Sequence, residues 1–274
     1  MKVSELPNLL VQALKGEQKE FTTGSINKAI FMLSIPMIAE MLGEALFALF
    51  DMIFVSRIST NAVAAVALTE APLMIVYSLA MGLSMAGTAI ISRRIGEGKV
   101  KLAANAAFQA IVIGVFAGLL LGLPGLFFAE DILHLMGGAP DLIQEGVGYT
   151  RIMYAANPVI ILIFLLNGVF RGAGNAAIAM RSLLLANLCN LILDPIFIFG
   201  LGPIPAFGIE GAAMATTIGR SIGVIYQLYH LFKGSQAMKV SAENMVVNKK
   251  TITEFLSIGA AGFGQFFVET LSWL

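Results

Sequence analysis

Charge is what this sequence has least of. Only 12% of its 274 residues are Asp, Glu, Lys or Arg, where an ordinary soluble domain carries roughly 25%. So few charged side chains cannot cover a soluble fold of this length while 58% of the chain is hydrophobic. That excludes a cytosolic α/β enzyme and a disordered chain. No excess of either sign exists, with 17 basic and 17 acidic residues. No polyanionic partner is implied, so nucleic-acid binding is excluded as well. Cysteine is nearly absent: Cys189 stands alone in an apolar run, which excludes a disulfide framework and a cysteine-rich metal site. The apolar runs lack the period-2 alternation of a membrane barrel wall. The solvent that fits such a chain is lipid.

What is present is a series of long apolar runs. A membrane-crossing helix needs about 20 mostly apolar residues. Six runs meet this, at about 29–56, 65–92, 103–129, 143–170, 177–200 and 209–232, and a seventh begins near Ile252. Pro36, Pro72, Pro158 and Pro195 lie inside them, as packed membrane helices tolerate. Lys and Arg alternate along the connections. The N-terminal arm has Lys2, Lys15, Lys19 and Lys28, the second connection Arg93, Arg94, Lys99 and Lys101, the fourth Arg171 and Arg181, and the sixth Lys233, Lys239, Lys249 and Lys250. The intervening connections hold Arg57 and an acidic group, Glu130, Asp131, Asp141 and Glu145. Cytoplasmic loops keep the basic residues, so the expected N-terminus is cytoplasmic in a multi-pass protein of the cell membrane.

Residues 1–24 do not read as a signal peptide, since they hold no continuous apolar core before a small-residue cleavage site. Leu6, Leu9, Leu10, Val11 and Leu14 allow either one short amphipathic helix on the inner surface or a loose tail. Ser25 is the expected N-cap of the first span. Leu33-Ser34-Ile35 opens span one and Leu256-Ser257-Ile258 opens span seven, 256 − 33 = 223 residues apart. Such spacing fits the second of two parallel halves. The expected organisation is a cytoplasmic arm (1–27), a six-helix lobe (28–233), a cytoplasmic linker (234–251) and a truncated first helix of a second lobe (252–274). The missing second lobe of the same polypeptide is then a partner.

Ionisable groups inside a span cost about 2.5–3.5 kcal/mol at mid-helix, so each is a functional candidate. Span one carries Glu40, Glu44 and Asp51. At 100° per residue, Glu44 lies about 40° and Asp51 about 20° from Glu40, so all three share a face. Span five carries Asn187, Asn190 and Asp194 on one face, followed by Pro195, which frees a backbone carbonyl one turn back. Counting depth from the span ends puts Asp51, Tyr149, Asn190, Asp194 and Thr216 at one level in the outer half. Two carboxylates close together in a low-dielectric setting share a proton or a cation. The bland readings stand beside this one. Asp51 could reach outer water, Glu40 could be solvated from inside, Arg220 could be a structural counter-ion, and Glu70 fits an interfacial position. The 14 methionines and 19 phenylalanines suit packing, lipid contact or an adaptable apolar pocket.

At this point the residues resemble a known family. The run Asn190-Leu191-Ile192-Leu193-Asp194-Pro195, continuing to Gly200, is similar to the fifth-helix signature of the multidrug and toxic compound extrusion (MATE) transporters. So is Phe170-Arg171-Gly172-Ala173-Gly174-Asn175, where many members have Asp in place of Asn175. Thr23-Gly24-Ser25-Ile26, Ser34-Ile35-Pro36, Asp51 and Gly211-Ala212-Ala213-Met214-Ala215-Thr216 also match. The resemblance covers about residues 23–274. It implies an all-α membrane protein: the six-helix N-terminal lobe of a twelve-helix antiporter, plus the start of the seventh helix. It implies export of drug-like or organic cationic compounds by alternating access, against entry of H+ or Na+, with no enzyme activity and no cofactor beyond that ion. The family's ion site maps to Asp51, Asn190, Asp194 and Thr216, with Tyr149 adjoining; these would ligate Na+ if Na+ is the coupling ion. Cavity positions map to Glu44, where members often have an amide, to Asn167 and to Glu40. Glu269 fits a functional glutamate of helix seven, although Ala260 and Ala261 depart from its usual surroundings. Rival readings are a lipid-linked precursor flippase, which would want a more cationic cavity, and an intramembrane aspartyl protease, which would want a Gly-x-Gly-Asp loop absent at Asp194.

Overall fold

A computed structural model describes residues 6–16, 25–233 and 238–271. These form an all-α structure, interrupted by a single turn of 3-10 helix at Ala242–Asn244 and one isolated bridge between Leu201 and Ile204. The helices are α1 (Leu6–Lys15), α2 (Ile26–Val55), α3 (Thr60–Gly96), α4 (Val100–Phe127), α5 (Ala129–Leu135), α6 (Pro140–Ala155), α7 (Asn157–Gly172), α8 (Ala176–Phe199), α9 (Ile209–Lys233) and α10 (Lys249–Leu271). Three of them, α3, α4 and α8, are long and apolar enough to cross a membrane on length and composition, and α6 with α7 makes a fourth as one bent pair.

The N-terminal arm takes the helical one of its two readings. In α1, Leu9 and Ala13 are buried and cluster with Met32 of α2. Its last carbonyls, which no helix can satisfy internally, accept from Arg181 of α8 at 3.0 Å (Leu14) and 2.5 Å (Lys15). Ser25 does occupy the N-cap of α2, but its side chain makes no capping bond. Ser59 does cap α3, accepting from the Ala62 amide at 2.8 Å and donating to Glu145 at 2.5 Å.

The fourth apolar run is not one helix. It breaks at Ala156 and turns by 45° between α6 and α7. Pro158, in the first turn of α7, lacks the N–H that a continuous ladder would need. The bend is wedged against α4. A Cβ on Gly118 would run into the Pro158 backbone, and one on Gly122 would strike the Tyr154 carbonyl. Between lipid-embedded helices, such small-residue contacts are where close packing replaces the hydrophobic drive. Beyond the bend, α7 is the core: Ile161, Ile163, Leu165, Leu166 and Val169 have no exposed surface, and α3, α4, α8 and α9 pack around it.

The α7–α8 turn explains the motif at 170–175. Gly172 backs onto the Thr88 carbonyl of α3, Gly174 takes φ +78°, and Asn175 caps α8 by accepting from the Ile178 amide at 3.4 Å. Asn and Asp are both good caps. Helix α9 lies close on α8, with Gly219 and Gly223 against the carbonyls of Ala186 and Ser182. This brings Thr216 beside Asn190. By contrast α2 leans mainly on α8 and leaves Met41, Leu42, Leu46 and Leu49 exposed. Helix α10 lies along α3, where Gly82 meets Gly259 and Gly262. Its first turns are pinned by polar contacts: Glu254 pairs with Arg93 and, at 2.9 Å, with Arg94, which also donates to Thr251 at 3.0 Å.

Candidate functional site

Two polar nodes occupy the bundle, named outer and inner after the expected orientation of the chain. In the outer one, Asp194 of α8 has no exposed surface, and Asn190, one turn earlier, is 2% exposed. The Asn190 amide donates to Asp194 Oδ1 at 3.1 Å and to Thr216 Oγ1 of α9 at 3.0 Å. Asp51 of α2 lies near enough to Asp194 for their charges to interact. Each acid keeps a buried oxygen with no hydrogen-bond partner: Oδ1 of Asp51 and Oδ2 of Asp194. Tyr149 of α6, 3% exposed, donates its phenol proton to Glu70 of α3. Glu70 in turn interacts electrostatically with Asp51 and with Arg220 of α9. All five expected residues, Asp51, Tyr149, Asn190, Asp194 and Thr216, therefore belong to one connected neighbourhood.

Arg220 completes it. The guanidinium Nη1 donates to the Tyr77 hydroxyl at 3.0 Å and lies 5.6 Å and 6.0 Å from the ring centres of Tyr77 and Phe47, a cation–π geometry. Among the described residues the ion pairs within 4.0 Å involve Arg93, Arg94, Lys99 and Arg171. Arg220 is in none of them. Glu70 and Tyr77 were not foreseen as site residues; Glu70 fitted an interfacial position. The legible signal was their spacing, seven residues on α3, which is two turns on one face.

The inner node joins α2, α3, α7, α8 and α9. Glu40 is 7% exposed, not solvated. Its Oε1 accepts from Arg171 at 3.2 Å and from Asn167 at 3.1 Å, while Oε2 is buried without a partner. Arg171 also donates to Ser84 at 3.0 Å. Asn167 accepts from Gln227 at 2.5 Å and from Ser182 at 3.3 Å. One turn along α2, Glu44 accepts from Asn187 at 3.2 Å. Thus Glu40, Glu44 and Asn167 sit on inward-facing surfaces, whereas Glu269 lies exposed near the end of α10.

No group of three or more His, Cys, Asp or Glu side chains able to hold a metal ion occurs among the described residues. The outer donor set is carboxylate, amide and hydroxyl. Such hard oxygens suit a proton or a small monovalent cation and give no soft site for a transition metal.

The model of one protein family, MatE, matches residues 36–196, a stretch that contains both nodes' acids from Glu40 to Asp194. The chain belongs to the MatE family. Members of the MatE family are integral membrane transporters, not enzymes, which sets aside the protease reading. Among curated relatives, the multidrug export protein MepA of Staphylococcus aureus is 26% identical over 89% of this chain and 53% of its own length. An FAD transporter of Shewanella oneidensis is 29% identical over 70% of this chain and 42% of its own. Among solved structures, a MOP-superfamily transporter from Pyrococcus furiosus superimposes with a TM-score of 0.82 at 29% identity, over 94% of this chain and 54% of that one. An inward-facing multidrug-resistance MATE transporter gives 0.76 at 29% identity, over 89% of this chain and 55% of that one. The chain thus spans about half the length of the relatives it matches.

Proposed function

We propose that this MatE chain provides one lobe of a cation-coupled antiporter that exports organic cations by alternating access. The observation that carries the reading is the outer node: acids from two different helices, Asp51 and Asp194, lie near enough to interact, and each leaves one buried oxygen unpartnered. A carboxylate pair held in low dielectric gains most from an arriving positive charge. With the lobes open outward, a proton or Na+ at Asp51 and Asp194 removes their mutual repulsion. Helix α2, which is held mainly by α8, can then shift, and cargo is expelled. The ion leaves on the inner side after the lobes rock. Asn190 and Thr216 hold Asp194 in place and supply further ligands if the ion is Na+.

On this reading residues 1–27 are a cytoplasmic arm, 28–233 a six-span lobe, 234–251 a cytoplasmic linker and the helix after it the first of a second lobe. The cargo class follows from charge. Glu40, Glu44, Asp51, Glu70 and Asp194 outnumber Arg171 and Arg220 in the two nodes, so cations are favoured over anions. The relative named as an FAD transporter makes an anionic cargo the natural rival, and a lipid-linked precursor would demand the same anion chemistry. Substrate efflux by the complete transporter in proteoliposomes, under an imposed Na+ or H+ gradient, tests the reading. Asp194→Asn should abolish gradient-driven efflux of a cationic dye. Unchanged efflux and ion coupling in that variant would sink it.

A further inference from the structure

Arg220 is a buried positive charge with no carboxylate of its own. It sits on α9, one turn after Thr216, and is 8% exposed. Its hydrogen bond goes to a neutral phenol, Tyr77, and the rings of Tyr77 and Phe47 flank it. Phe47, over whose ring the guanidinium lies, is three residues after Glu44 and four before Asp51 on α2, so an acid stands about one helical turn to either side of it. Glu44 of α2 is in the part of the site that leads to the inner node, where Asn187 holds it at 3.2 Å. Asp51 of α2 and Glu70 of α3 are in the outer node, where Tyr149 of α6 bonds Glu70. The guanidinium therefore stands between a cargo-side acid and two ion-side acids. Its planar fork carries five donors, and Nη1 bonds Tyr77, so turning about that bond presents donors to either side without leaving the site.

We propose that Arg220 is a tethered cation that makes cargo and coupling ion exclude one another. Its inference rests on the antiport reading above. An organic cation at Glu44 repels the guanidinium toward Asp51 and Glu70, which it then neutralises in place of the coupling ion. A coupling ion at Asp51 drives it back toward Glu44, which it neutralises in place of cargo. The arrangement holds one mobile cation at a time beside one fixed one. Linkage makes the antagonism reciprocal. With Arg220 gone, the same acids have room for cargo and ion together, and exchange loses its obligation. Tyr77 is a positioning residue: its hydroxyl fixes the pivot about which the charge leans.

The test is binding of ethidium, a fluorescent monovalent organic cation, to the complete transporter in detergent. Titrations run with NaCl replacing choline chloride at constant ionic strength, and separately at decreasing pH. In the wild type, Na+ or acid should raise the apparent Kd by about fivefold or more, the low end of measured couplings between sites. Arg220→Gln should bind ethidium more tightly without the ion and lose most of that dependence. Arg220→Lys should restore it. A folded Arg220→Gln with the full wild-type antagonism overturns the proposal while leaving antiport standing. If the wild type shows no antagonism with either ion, both readings fall. Should Arg220→Gln not fold, Tyr77→Phe decides, because it keeps the charge but removes the anchor. A weakened ion dependence in Tyr77→Phe supports the tethered cation, and an unchanged one refutes it.

Discussion

Removing Arg171 should destabilise the protein far more than neutralising its partner Glu40. The pair is buried, with side-chain exposures of 18% and 9% and a contact of 3.2 Å. Arg171→Met leaves the Glu40 carboxylate with Asn167 as its hydrogen-bond donor and Oε2 already unpartnered. Stranding a buried charge in this way costs roughly 3–5 kcal/mol. Glu40→Gln keeps a carbonyl oxygen for both donors and loses only the charge assistance of those bonds, about 1–2 kcal/mol. Arg171, the more exposed partner, retains its bond to Ser84 at 3.0 Å. In Glu40→Gln/Arg171→Met neither charge of the pair is left, so the double variant should be more stable than Arg171→Met alone. At about 2–4 °C per kcal/mol for chains of this size class, Arg171→Met should lower Tm by roughly 6–20 °C. Thermal unfolding of the purified transporter in detergent, at one scan rate, reads these values. Equal losses from the two single changes, or a double variant no better than Arg171→Met, would refute the reasoning.

Three further outcomes can be checked. Gly118→Leu forces a side chain into the Pro158 backbone at the α6–α7 bend and should cost about 1–3 kcal/mol or more in the same unfolding assay, while Gly96→Ala, with open space around it, should leave Tm within a degree or two. Asn157, wholly buried with both amide atoms unpartnered, should tolerate Leu with stability unchanged or raised by about 1–3 kcal/mol; a marked loss would show that its amide does bind something. Outside the spans, Lys99 donates to Glu97 at 2.7 Å and holds that carboxyl below the usual glutamate range. The contact is therefore present above the ordinary glutamate pKa and lost as pH falls through the lowered one; Lys99→Ala should bring the Glu97 titration, followed by carbon-13 NMR, back up, with no change in Tm because the group is fully exposed.

The helical runs were legible because an apolar stretch about 20 residues long has few alternatives in lipid. The break at Ala156 was not. A proline inside an apolar run reads the same whether the helix merely tolerates it or turns by 45°, and the choice here is made by Gly118 and Gly122 of a different helix. Depth counting from the span ends grouped Asp51, Tyr149, Asn190, Asp194 and Thr216, and the structure does bring these five into one neighbourhood. Depth says nothing about rotation, which is why Glu70 fitted an interface as well as a pocket. Arg220 read as a counter-ion to one of the acids, yet it is in none of the ion pairs among the described residues; its hydrogen-bond partner, a tyrosine on α3, depends on how α3 and α9 face each other. Glu40 fitted inner solvent because Arg171 read as part of a loop. It lies in the last turn of α7 and points back into the bundle.

The contact of α10 with α3 has a mechanical consequence. At its middle the two backbones meet at glycines, Gly82 against Gly259 and Gly262, with the Leu83 and Met85 side chains of α3 lying against the α10 glycines. At one end, Glu254 and Thr251 are moored to Arg93 and Arg94. A joint that is moored at its foot and closed backbone to backbone along its shaft behaves as a splint: whatever displaces α3 carries α10 with it.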